Sequence, residues 1–140
     1  MLALDVEDDL LDFVGAVARR NPGLRVEARG CPLNRIGLDE NSVDAAVAIF
    51  TVQIVAGPSS NKSDREVVEW LRSVRRAVRP GGRFAIIENS GVMNPEFLER
   101  MLAQAGFRDL LRRPLSTVPT EGGIHQQGSY FMVGFKGKGD

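Results

Sequence analysis

The chain has 140 residues, 43% of them hydrophobic and 26% charged, which is enough for one domain with a real core. Eighteen basic residues balance eighteen acidic ones, so there is no general electrostatic case for nucleic acid, whose phosphates need clustered, uncompensated cations. Cys31 is the single cysteine, which excludes an intramolecular disulfide and a cysteine-based zinc cluster within one chain.

The arginines between Arg72 and Arg83 have Glu66, Glu69 and Glu88 around them, as on a solvated helix face. No segment reaches the roughly eighteen apolar residues of a membrane span, and the first residues lack the basic start of a signal peptide. The expected compartment is the cytoplasm, with no membrane and no nucleic acid among the partners.

Met1 to Leu4 is a short apolar run that ends at Asp5. Glu7, Asp8 and Asp9 open a helix, whose first turn favours negative charge, and Leu10, Leu11, Val14, Val17 and Ala18 give it an apolar stripe. Asn21-Pro22-Gly23 stops it. Leu24, Val26 and Ala28 alternate with charged residues as in a strand near a sheet edge, and Gly30-Cys31-Pro32 breaks that pattern. Val43 to Ile49 reads as a buried strand.

Phe50 to Lys62 is mixed and predicts no regular element, only a turn at Gly57-Pro58-Ser59-Ser60. Ser63 with Glu66 predicts a capping box. The helix that follows carries Val67, Val68, Leu71, Val74 and Val78 at helical spacing, and Pro80-Gly81-Gly82 stops it. Phe84 to Ile87 is an unbroken apolar run, the pattern of a strand covered on both faces; Glu88 and Asn89 end it. Asn94 and Pro95 start another helix, with Phe97, Leu98, Met101 and Leu102 inward and Gly106 as its stop. Phe107 to Leu111 and Tyr130 to Phe135 read as strands, and the connection from Arg113 to Gln127 shows no regular pattern. Residues 137–140 read as a flexible tail. Strands alternating with helices, then two strands joined without one, predict an open parallel sheet with one antiparallel strand near an edge.

The phrase "LRSVRRAVRPGGRFAIIEN" resembles the helix, Pro-Gly-Gly turn and fifth strand of class I S-adenosylmethionine (SAM)-dependent methyltransferases, in particular their small-molecule, ubiquinone-biosynthesis-like group. Asp5 after an apolar strand, Asn41-Ser42-Val43-Asp44 before the next buried one, and Ala105-Gly106-Phe107 before the sixth strand extend the resemblance over most of the chain. It implies a truncated Rossmann-like methyltransferase α/β sheet, mostly parallel with one antiparallel strand and helices on both faces, as a single domain over residues 1–136. The implied function is SAM-dependent methyl transfer to a small molecule; the alternative is a non-catalytic methyltransferase-like binding or scaffold module that has lost SAM. Against the family pattern, the chain starts at what would be the second strand and lacks the first strand with its glycine-rich cofactor turn. The second strand then pairs directly with the fourth, another chain supplies the missing strand, or the natural protein begins earlier. An exposed central edge promotes pairing with another chain, so a homo-oligomer is expected.

The resemblance assigns Asp5 to the ribose hydroxyls of SAM and Val6 to the side of the adenine, and it puts Cys31 where many relatives have an Asp for the adenine amino group. Ile49, Phe50 and Thr51 stand where relatives line the cofactor and acceptor pocket. Glu88 and Asn89 stand at the edge that contacts the acceptor, and His125 in a loop that folds near it. No catalytic residue and no metal ligand is implied. Each position also has a plain reading: a helix N-cap for Asp5, an apolar contact for Val6, a small buried hydrophobe for Cys31, core packing for Phe50, a solvated strand terminus for Glu88 and Asn89, and ordinary surface for His125, the sole histidine.

Overall fold

The computed structural model describes residues 2–5, 8–23, 27–30, 36–57, 61–115 and 128–140. They divide into two compact units, residues 1–37 and 38–140. The strand predicted around Leu24 to Ala28 is described only from Glu27 on, and most of the connection from Arg113 to Gln127 lies outside the described residues.

The smaller unit is a strand, helix, strand crossover: β1 (Leu2–Asp5), α1 (Asp8–Arg20) and β2 (Glu27–Gly30). β1 and β2 pair in parallel, with Leu2 opposite Glu27 and Asp5 opposite Gly30. Leu11, Val14, Val17 and Ala18 of the predicted stripe are half-buried, while Phe13 remains 67% exposed. At the end of α1 the Asn21 side-chain amide donates to the Val17 carbonyl at 2.8 Å, satisfying a carbonyl of the last turn that has no partner within the helix.

The larger unit contains β3 (Val43–Ile49), α2 (Val52–Ala56), α3 (Asp64–Ala77), β4 (Val78–Asn89), α4 (Pro95–Gln104), β5 (Arg108–Pro114) and β6 (Ser129–Phe135). Its sheet has the order β3-β4-β6-β5. β3 and β4 are parallel, whereas β6 runs against both β4 and β5, so this sheet is mixed. α3 begins with the predicted capping box, in which Ser63 and Glu66 satisfy each other's amides. α4 begins on Asn94, whose Oδ1 accepts from the Phe97 amide at 2.9 Å. Val67, Val68, Trp70, Leu71, Val74 and Ala77 of α3 and Leu98, Met101 and Leu102 of α4 are buried. Phe84 ties sheet and helix together, edge-on to Trp70 at 6.4 Å between ring centres and tilted against Phe107 at 5.7 Å. Each such large apolar side chain contributes about 1.5–3 kcal/mol on burial.

Three local expectations are corrected. The helix does not reach Pro80: it ends at Ala77, and Val78 is already extended at φ −71°, ψ 136°. The proline disfavours helical backbone at Arg79, and Pro80-Gly81-Gly82 then bulges out of β4, so that Val43 faces Val78 but Ala45 faces Arg83. Gly81 has φ +79°, and a Cβ on Gly82 would lie 2.6 Å from the Asp44 carbonyl oxygen, so the bulge depends on both glycines. Second, Val43–Ile49 is not a buried strand. It lies at the edge of its sheet with only Ala48 buried, and Val47 and Ile49 are 66% and 57% exposed. An apolar run cannot by itself distinguish a central strand from an uncovered edge. Third, Phe84 to Ile87 is buried on alternate residues only, Phe84 and Ile86 fully and Ala85 and Ile87 in part, because α3 packs on one face of β4.

Candidate functional site

At the carboxyl ends of β3 and β4 the chain makes a compact polar arrangement. After β3, Phe50 adopts a left-handed backbone at φ 51°, uncommon for a residue with a side chain. Its amide donates to the Ile87 carbonyl at 2.9 Å. Thr51 is the N-cap residue of α2, a helix that sequence reading missed; the apolar pair Val52 and Val55, three residues apart and both buried, is the signal that could have revealed it.

Glu88 is no solvated terminus. It is completely buried, and its Oε1 accepts from the Gln53 amide at 3.1 Å. Its Oε2 is the only buried side-chain nitrogen or oxygen without a hydrogen-bond partner among the described residues. Burial pushes the carboxyl above the usual range, opposed in part by the amides of Gln53 and Val52. Across the ladder from Glu88 stands Tyr130, buried and donating its hydroxyl to the Met93 carbonyl at 3.0 Å. Burial raises the Tyr130 phenol, and the neighbouring Glu88 carboxyl adds to that.

Asn89, half-buried, follows Glu88. Its Oδ1 accepts from the Gly91 amide at 2.8 Å and its carbonyl from the amides of Val92 and Met93 at 3.0 and 2.8 Å. It therefore caps a tight turn that leads to α4. Phe50, Glu88 and Asn89 thus come together at one edge of the larger unit. Sequence reading missed Gln53 and Tyr130 as the neighbours of Glu88.

In the smaller unit, Asp5 is the last residue of β1 and Asp8 the first described residue of α1. Val6, Cys31 and His125 lie outside the described residues.

The profile of a methyltransferase domain family matches residues 1–86, more than half of the chain. No curated protein matches it in sequence. Solved structures do match in fold. A SAM-dependent methyltransferase from Methanosarcina mazei has a TM-score of 0.67 at 14% identity, over 97% of this chain and 81% of that one. A SAM-dependent methyltransferase from Aquifex aeolicus has a TM-score of 0.64 at 19% identity, over 96% of this chain and 67% of that one. A chain from the complex of the Haloferax volcanii Trm112 methyltransferase activator with a methyltransferase has a TM-score of 0.73 at 12% identity, over 97% and 71%. At these identities the likeness is one of fold.

Proposed function

Because this chain belongs to the methyltransferase domain family, we propose that it binds SAM and transfers its methyl group to a small molecule. One observation carries this reading: in the larger unit Phe50 follows β3 and Glu88 with Asn89 closes β4, at the carboxyl ends of two parallel strands. Carboxyl ends of strands are where open α/β sheets take ligands. SAM supplies the electrophilic methyl group, and the protein's share is mainly to hold it in line with an acceptor. On this reading Asp5 accepts the ribose hydroxyls, Val6 and Cys31 flank the adenine, and Phe50 walls the cofactor side. Glu88, Asn89 and His125 belong to the acceptor side.

The same reading treats residues 1–136 as one domain built on a mostly parallel sheet, followed by a tail; in support, the family match runs through the boundary at residue 37. Residues 137–140 have contacts of their own: the Asp140 carboxylate pairs with Arg75 and, at 3.7 Å, with Arg108. We further propose a cytoplasmic homo-oligomer. β3 is an edge strand with one charge, Asp44, no proline or lysine, and exposed Val47 and Ile49, so it lacks the devices by which edges are usually protected. Among the described residues no helix is long and apolar enough to cross a membrane.

A non-catalytic methyltransferase-like scaffold that has lost SAM is the competing reading. Calorimetric titration with S-adenosylhomocysteine, run beside light scattering, separates the two. Micromolar binding by an oligomer supports the enzyme; no binding at millimolar ligand by folded protein leaves the scaffold.

A further inference from the structure

Helix α2 starts without a side-chain cap of its own. Thr51 occupies the N-cap position, yet its hydroxyl turns back to donate to the Ile49 carbonyl at 3.1 Å and caps nothing. The first amides of a helix have no partner inside it and need one elsewhere. Glu88 supplies it from 35 residues away in sequence, through Oε1 on the Gln53 amide. One residue earlier on the same strand, Ile87 accepts the Phe50 amide. Two consecutive residues of β4 therefore hold both ends of the turn Phe50–Gln53, and a residue kept at φ 51° persists only where its surroundings over-determine it.

The geometry points to Glu88 as a positioning residue that clamps the first turn of α2 from β4 and so sets the Phe50–Gln53 turn at the end of β3. This rests on the methyltransferase reading for what the turn lines, since that reading makes it a wall of the cofactor crevice, but the clamp itself does not depend on it. In this structure Glu88 is completely buried and reaches the site through the turn. Few other charged or titratable groups compete for it. α2 carries no titratable side chain, the buried residues of α3 are apolar, and Tyr130 on β6 directs its hydroxyl to Met93.

The test follows the Gln53 amide in the intact chain. In the unmutated protein its chemical shift should titrate together with the Glu88 side-chain carboxyl carbon, with one shared midpoint. Glu88→Leu should speed exchange of the Gln53 amide about tenfold and weaken S-adenosylhomocysteine binding about tenfold, the scale of one lost hydrogen bond to a buried group. Glu88→Gln, whose side-chain oxygen still accepts, should keep both within about twofold of the unmutated protein. A Gln53 shift indifferent to the Glu88 titration overturns the clamp even if Glu88→Leu fails to fold, and so does unchanged Gln53 protection in that variant. If the unmutated protein binds no S-adenosylhomocysteine, the methyltransferase reading fails while the titration and exchange still decide the clamp. Gln53 deprotected with binding unchanged overturns the link from turn to cofactor.

Discussion

The two ends of β4 each bury an ionisable side chain, and they treat it differently. At the amino end Lys136 is only 4% exposed; its ammonium donates to Asn41 Oδ1 at 2.8 Å and to the Val78 carbonyl at 2.9 Å. That carbonyl closes α3, where a cation also meets the negative end of the helix dipole. Asn41, at φ 55°, donates its own amide to Arg76 and accepts from Arg79, so chain reversal, helix end and bulge are joined in one network. At the carboxyl end Glu88 accepts the Gln53 amide through Oε1 and leaves Oε2 without a hydrogen-bond partner. Buried polar atoms are nearly always paired, and the exception here falls at the sheet edge proposed to face the ligand. The contrast teaches that β4 is anchored for stability at one end and left incompletely satisfied at the other.

The largest effect is expected at the anchored end. Gly82→Ala drives a Cβ to within 2.6 Å of the Asp44 carbonyl oxygen and 2.8 Å of the Arg79 carbonyl oxygen. Backbone cannot yield as a flexible side chain does, so urea unfolding should show a loss of about 2–3 kcal/mol. Lys136→Met leaves the Val78 carbonyl and the Asn41 side chain without the donor they now share, and should lower stability by about 2 kcal/mol. If both variants matched the unmutated protein, the amino end would not be the anchor.

At the other end the expected effect depends on pH. Burial raises the Glu88 carboxyl, so the folded state holds its proton more tightly than the unfolded chain does. The stability that this contributes is present in full below the unfolded carboxyl value of about 4.3 and is lost as pH rises through the raised folded value. Unmutated protein should therefore lose stability relative to Glu88→Gln across that window; parallel curves would show that Glu88 is not held neutral. Asp5→Ala should weaken S-adenosylhomocysteine about tenfold with little change in melting temperature, whereas an Asp serving only as a cap would lose about 1 kcal/mol of stability and no affinity. The smallest effect on stability is expected at the β3 edge, where Val47→Lys should shift folding by less than about 0.5 kcal/mol. Light scattering should nonetheless show a smaller assembly if that edge pairs with another copy.

Much of the local structure was legible from residues alone. Ser63 and Glu66 announced the start of α3, Asn94 and Pro95 that of α4, and Asp5 the end of β1, because caps and strand ends are set by neighbours within a few positions. The site was legible only in part. Glu88 stood out as a carboxylate closing an apolar run, but its partner Gln53 could not be found from sequence, since the contact joins a helix after β3 to a strand that begins beyond α3. The exposure of Val47 and Ile49 was equally hidden: their spacing is that of any apolar strand, and only the strand order leaves them at an edge.

By itself the sequence determined the family, the order of the strands and of every helix but α2, and the glycines of the bulge, all properties of short stretches whose turn chemistry and periodicity have one good solution. Only the tertiary structure decided that β3 is an edge, that β6 makes its sheet mixed and that Glu88 is a buried clamp and not a solvated end. Burial and pairing depend on which segments arrive from far along the chain, and no local pattern records that arrival.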